Sequence, residues 1–214
     1  MTPLATLSAV AAPIDGRNVD TDQIIPARFL KADRGQPGGY GRYLFHDVRR
    51  DAQGNESAQF VLNQPRFRSA GILVAEHNFG CGSSREGAVY ALADCGVRAV
   101  IAPSFGDIFF NNCLKNGLLP LRLDEHSVAA LIYQLHHADD PAQTQVDIDL
   151  ESQTVRWQPP GGAAPAIHAF DIDPFWRECL LKGVDEVQLT LSYLDQIGKF
   201  ESRYLAEHPW ITAR

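Results

Sequence analysis

The sequence predicts an α/β domain with a parallel-sheet core and covering helices. Three features point to it. Short apolar runs recur at residues 71–75, 99–102 and 118–121. A helical stretch with an apolar face fills each gap between them, and each stretch ends on a glycine, Gly96 and then Gly117. Strand–helix–strand–helix–strand is the pattern of parallel strands joined by crossover helices.

Residues 1–30 open with a short apolar stretch and run into Asn18-Val19-Asp20-Thr21-Asp22-Gln23-Ile24-Ile25-Pro26. Residues 31–59 hold Gly35, Gly38, Gly39, Gly41 and Gly54 with Pro37 and many charges, the composition of a long mobile loop with a binding role. Gly71-Ile72-Leu73-Val74-Ala75 reads as a buried strand. A glycine-rich turn, Asn78 to Ser84, leads into a helix from about Arg85 to Cys95, with Ala88, Ala91, Leu92 and Cys95 on one face. Ser83 and Glu86 have the spacing of a capping box. Ala99–Ala102 is the next strand, Asp107–Lys115 a helix, Leu118–Leu121 a strand and Glu125–Ala138 a helix. Val146–Leu150 and Thr154–Trp157 alternate in polarity about Glu151-Ser152-Gln153, as in a β-hairpin. Pro159-Pro160-Gly161-Gly162 is a loop and Ile167–Ile172 a further strand. A helical tail over 174–214 comprises Pro174–Lys182, closed by Gly183, and about Ser192–Ala206. No linker interrupts the pattern, so residues 1–214 are read as one domain.

The composition narrows the function classes. Of 214 residues, 45% are hydrophobic and 21% charged, which argues for a folded globular chain. A net charge of −7 without basic runs argues against nucleic acid or a membrane surface as partner. No run reaches the ~20 apolar residues of a membrane span, and the N-terminus lacks the basic start and apolar core of a signal peptide. The expected location is the cytoplasm. Cys81, Cys95, Cys113 and Cys179 include no C-x-x-C pair and fit neither a zinc ribbon nor a ferredoxin-type site, so no metal site is expected on this chain.

Chemistry concentrates in Asn78-Phe79-Gly80-Cys81-Gly82-Ser83-Ser84-Arg85-Glu86. This turn lies where a strand ends and a helix begins, the edge at which open α/β sheets bind ligands. Glycines allow a sharp turn, the helix N-terminus favours an anion, and Arg85 can grip a carboxylate at two points. In such a field a serine alkoxide becomes accessible, because N–H groups and a guanidinium stabilise the negative oxygen. The plain alternative is that Ser83 caps the helix and Arg85 lies on the surface. The turn is no Walker loop. Cys81 at a helix N-terminus is a candidate nucleophile, but no histidine with an acidic or amide partner is placed to assist it.

The string from Asn78 to Glu86 resembles the serine–arginine signature of the aconitase superfamily. Asn18–Leu30 is similar to the N-terminal signature of bacterial isopropylmalate dehydratase small subunits. So are Ala102–Pro120 and the tail segments Phe170–Asp173, Leu180–Gly183 and Leu189–Leu191. The likeness is co-linear over almost the whole chain. It implies a swivelling β/β/α domain like the last domain of aconitase. It also implies a large partner subunit holding a [4Fe–4S] cluster, none being bound here, and 2-/3-isopropylmalate as substrate. By the same resemblance Ser83 is the catalytic base, and Ser84 and Arg85 bind substrate carboxylates. Asp22 orients these groups, and 31–42 is the substrate-selecting loop, with Phe29, Leu30 and Tyr40 as contacts to an apolar substituent.

One departure stands out: where the family signature has histidine, this chain has Gly87, and Ala88-Val89-Tyr90-Ala91-Leu92 also strays. A related 2-substituted malate such as citramalate is therefore a second candidate substrate. His46, His77, His126, His136, His137, His168 and His208 lack metal-ligand spacing. His77 is a lesser site candidate, and Trp157, Trp176 and Trp210 are assigned to packing. Three readings stay open: a hydro-lyase subunit, a non-catalytic binding module of the same fold, and a cysteine hydrolase using Cys81.

Overall fold

The computed structural model describes residues 1–138, 140–159, 161 and 163–211. In chain order its elements are β1 (Thr6–Ile14), α1 (Thr21–Ile24), α2 (His46–Arg49), β2 (Ile72–Ala75), α3 (Glu86–Asp94), β3 (Ala99–Ala102), α4 (Asp107–Lys115), β4 (Leu119–Arg122), α5 (Glu125–His136), β5 (Gln145–Asp149), β6 (Thr154–Trp157), β7 (Ala166–Ala169), α6 (Pro174–Lys182), α7 (Glu186–Leu191) and α8 (Leu194–Glu207). Short 3₁₀ turns, among them Ala27–Phe29 and Gly39–Tyr43, fill the connections.

The strands form one sheet in the order β4-β3-β2-β1-β5-β6-β7. The expected parallel core is present as β1–β4, and β5–β7 extend the same sheet antiparallel. β1 joins the two halves: Thr6–Val10 pair antiparallel with β5, and Ala11–Ile14 pair parallel with β2. Alternate residues of the central strands face opposite cores. Leu73, Ala75, Val100 and Ala102 pack towards α3, whereas Ile72, Val74, Ala99 and Ile101 pack towards α5 and α6. Both faces being covered, these strands read as unbroken apolar runs. Pro120 lies in edge strand β4, the place where a missing N–H breaks no ladder bond.

Several expectations need correction. The opening apolar stretch is a full nine-residue strand; its small residues (Ser8, Ala9, Ala11, Ala12) and Pro13 hid the strand pattern. The strand expected at Ile167–Ile172 spans only Ala166–Ala169. The tail contains an additional helix, α7, started by a capping box between Asp185 and Gln188. Pro160 and Gly162 of the expected loop, and residues 212–214 of the tail, lie outside the described residues. The stretch 31–59 holds two short helical turns, and its Gly39, Gly41, Leu44 and Phe45 are buried.

Candidate active site

β2 ends at Ala75 and the chain enters the glycine-rich turn. Two other segments shape it. The stretch Asn18–Thr21 runs alongside: the Gly80 N–H donates to the Val19 carbonyl (2.7 Å) and the Thr21 N–H to the Cys81 carbonyl (2.9 Å). The hydroxyl of buried Thr21 donates to the Ser83 carbonyl (2.9 Å). From the other side, the Phe79 N–H donates to Ser104 and the Gly106 N–H to Phe79. A Cβ on Gly106 would stand 2.6 Å from the Gly80 carbonyl oxygen, so only glycine lets these backbones meet. Gly80 itself has φ +72°, and a Cβ there would overlap the Phe109 ring. Three of the motifs separated in sequence are thus pieces of one backbone scaffold.

The scaffold brings Ser83, Arg85 and Asp22 together. Asp20 caps α1 through a reciprocal box with Gln23, which sets Asp22 in the first turn. The Asp22 carboxylate pairs with the Arg85 guanidinium and also accepts from the Ala27 N–H (3.0 Å). Arg85, hydrogen-bonded to it, holds the Asp22 carboxyl below the usual carboxylate range, and the Ala27 N–H acts in the same direction. The second terminal nitrogen of the guanidinium, Nη2, faces the Ser83 hydroxyl at 3.5 Å. Ser83 and Ser84 are exposed. The expected capping box at Ser83 is absent: α3 starts at Glu86 with Arg85 as N-cap and has no side-chain cap. Gly82, at φ +90°, turns the two serines out before the helix starts, so its first N–H groups remain for solvent or an anion.

Leu30 and Tyr40 lie beside this cluster. Gly87, two residues beyond Arg85, is buried, and a Cβ there would overlap the Leu30 side chain and approach the Tyr40 ring to 3.8 Å. The space that a side chain at 87 would need is filled by Leu30. Phe29 turns instead onto Tyr43, stacked at 4.2 Å, and His46 at 4.5 Å.

Other candidates fall away. His77 points to Ser104 (3.3 Å) and Glu125 (3.2 Å). The Cys81 thiol donates to the Asn18 carbonyl, and burial pushes it up with the Asp20 charge adding to the effect, which opposes a thiolate. His136 pairs with Asp15 at the end of α5. Trp157 is buried, but Trp210 is 67% exposed, contrary to its assignment to packing. Sequence reading missed Thr21 and Asp20, although the Asp-x-x-Gln spacing at 20–23 was a signal for the cap.

Comparison with known proteins gives a consistent result. The family model for the aconitase C-terminal domain matches residues 1–126, and that for the C-terminal domain of the 3-isopropylmalate dehydratase small subunit matches residues 186–214. A 3-isopropylmalate dehydratase small subunit of Rhodospirillum centenum is 49% identical over 210 residues, 98% of each chain. That of Dinoroseobacter shibae is 46% identical over 99% of this chain and 100% of its own. The crystal structure of 3-isopropylmalate dehydratase from Methanocaldococcus jannaschii superposes with a TM-score of 0.61 at 28% identity, covering 91% of this chain and 99% of that one.

Proposed function

The chain belongs to the 3-isopropylmalate dehydratase small-subunit family, and from that premise we propose that Ser83 is the base of its active site and Arg85 its carboxylate anchor. The chain is a hydro-lyase subunit of leucine biosynthesis that works with a large subunit. Its reaction is the dehydration and rehydration of 2-isopropylmalate to 3-isopropylmalate through isopropylmaleate.

One observation supports the residue roles. Ser83, Arg85 and Asp22 converge at an uncapped helix N-terminus, on a turn held by backbone bonds to two further segments. Arg85 and the first N–H groups of α3 form an anion site for one carboxylate of the substrate. Ser84, exposed beside them, offers a hydroxyl to the same group. Asp22 holds the guanidinium at a fixed angle, so the substrate carbon is presented to Ser83 without a search. Ser83 removes the proton from the carbon next to the one that carries the hydroxyl. The C–H electron pair forms the double bond and the hydroxyl leaves as water, a departure that a Lewis acid held by the large subunit would assist. The alkoxide required for the proton removal is stabilised by Arg85 and the helix N–H groups. Leu30 and Tyr40 form the apolar wall for the branched substituent.

The [4Fe–4S] cluster implied by the superfamily does not fit the residues of this chain, and we assign it to the large partner. Cys113 and Cys179 are buried, Cys95 ends α3, and Cys81 is bonded to Asn18. Among the described residues no three His, Cys, Asp or Glu side chains come together to hold a metal. Nor is any helix among them long and apolar enough to cross a membrane.

Ser83→Ala tests the reading. Mixed anaerobically with the reconstituted large subunit, wild type should form the enoate from 3-isopropylmalate, seen as ultraviolet absorbance, and prefer it to citramalate. The variant should assemble normally and lose on the order of 10³-fold in kcat. Full activity in the variant would leave the binding-module reading standing.

A further inference from the structure

We propose that Asp94, at the far end of α3 from Arg85, is a positioning residue that latches the segment 31–42 in place and so sets substrate discrimination. The inference rests on the reading of Arg85 as carboxylate anchor.

The segment's own hydrogen bonds are short-range: Gly35 and Gln36 donate to Asp33, Gly39 to Gln36, and Arg42 to the Asp33 carbonyl. Gly35, Gly38, Gly39 and Gly41 permit many backbone paths and only Pro37 has a fixed φ, so a tie that sets the segment against the rest of the domain must come from outside it. The Asp94 carboxylate supplies it. The Arg34 fork donates to both of its oxygens, from Nε at 2.9 Å and Nη2 at 2.7 Å, and the Tyr40 N–H donates to Oδ2 at 2.8 Å. The Arg34 guanidinium also lies over the Tyr90 ring at 4.0 Å. With its side chain only 18% exposed, Asp94 sits in a more shielded setting than the other carboxylates in ion pairs among the described residues. A bidentate, shielded pair of this kind fixes geometry better than a solvated one.

The glycines serve the same contact. A Cβ on Gly39 would overlap the Asp94 carboxylate, and one on Gly41 would stand 2.7 Å from the Cys95 nitrogen. Gly39 and Gly41 are therefore what lets this segment reach α3, and are not simply points of flexibility. The Tyr40 hydroxyl donates to the Leu30 carbonyl at 2.8 Å, which ties both ends of the segment together. Leu30 in turn fills the space over Gly87, beside the carboxylate anchor. Asp94 lies nine residues along the helix from Arg85, about 14 Å away at 1.5 Å per residue, too far to touch substrate held there. It acts through Tyr40 and Leu30: its grip determines where the apolar wall stands.

Two variants break the latch from opposite ends, Asp94→Asn in α3 and Arg34→Ala in the segment. Hydrogen exchange on the full chain should quicken about tenfold or more in residues 31–42 and stay unchanged in β1–β4. With the large subunit, KM for 3-isopropylmalate should rise about tenfold, preference over citramalate should shrink, and kcat should stay within about threefold. Both variants should raise KM in the same direction, although Arg34→Ala leaves the Tyr40 N–H bonded to Asp94. Unchanged exchange would overturn the latch. Quickened exchange with KM and preference unchanged would overturn its part in discrimination. A wild-type enzyme with no turnover would instead bring down the reading of the site.

Discussion

Replacing Asp22 with alanine should separate the cost to stability from the cost to catalysis. The Asp22 side chain is half exposed, and its partners are the Arg85 guanidinium and one N–H, that of Ala27. Loss of a solvated ion pair costs about 1 kcal/mol or less. In a domain of this size that is a fall of about 2–4 °C in Tm. Arg85, by contrast, loses the group that fixes its angle, and a reacting group displaced by about 1 Å can lose on the order of 10²-fold in rate. That corresponds to about 2.7 kcal/mol of barrier, well above the stability cost. Thermal unfolding of the chain gives the first quantity, and enoate absorbance with the large subunit the second. Asp22→Asn, which keeps an acceptor for Ala27, should fall between wild type and alanine. The pair should hold throughout the neutral range. Since Arg85 depresses the Asp22 carboxyl, its contribution is complete above the ordinary aspartate pKa and disappears only as pH falls through the lowered one. A rate loss of threefold or less in Asp22→Ala, or a Tm fall beyond about 8 °C, would refute the assignment of Asp22 as an orienting group.

Gly80→Ala should be among the most damaging single changes in the turn. The left-handed φ of +72° costs alanine about 1–2 kcal/mol, and overlap with Phe109 about 1–3 more. Urea unfolding that shows a loss under about 1 kcal/mol would contradict this. At acid pH, Asp47 gives a separate signal. The Arg28 hydrogen bond, helped by His46, brings its carboxyl down to about 2. The stabilisation from this pair is present above the unfolded aspartate value and should be lost between about pH 4 and 2. Asp47→Asn should remove that part of the acid titration and leave stability at pH 3 closer to wild type than at pH 7.

The central helices and strands were legible because a covered sheet writes apolar runs and its helices write apolar faces. α4 and α6 have the very bounds their sequence pattern indicated. β1 was not legible as a strand. Its alanines pack well between two layers, yet they carry no strand preference of their own. The candidate site divides in the same way. The serine turn could be read from local spacing, but its supports could not, because Thr21 and Gly106 reach it across 62 and 26 residues of chain. Ser83 and Glu86 had the right spacing for a cap. The left-handed turn at Gly82 defeated it, delivering the serine to solvent before the helix begins. Asp94 had no signal at all, since its importance comes from a loop whose conformation the sequence leaves open.

The double pairing of β1 has a consequence for how the molecule is made. Its C-terminal half finds β2 about sixty residues downstream, but its N-terminal half waits for β5, which begins at Gln145. During synthesis, then, Thr6–Val10 emerge early and stay without a neighbouring strand until about two-thirds of the chain has followed. An open strand edge of that kind invites pairing with other chains. A fragment ending near residue 126, although it holds the whole serine turn and every strand of the parallel half, would carry that open edge permanently. The hairpin β5–β6, on the other side of the sheet from the serine turn, thus acts as the closing piece that makes the parallel half safe to fold.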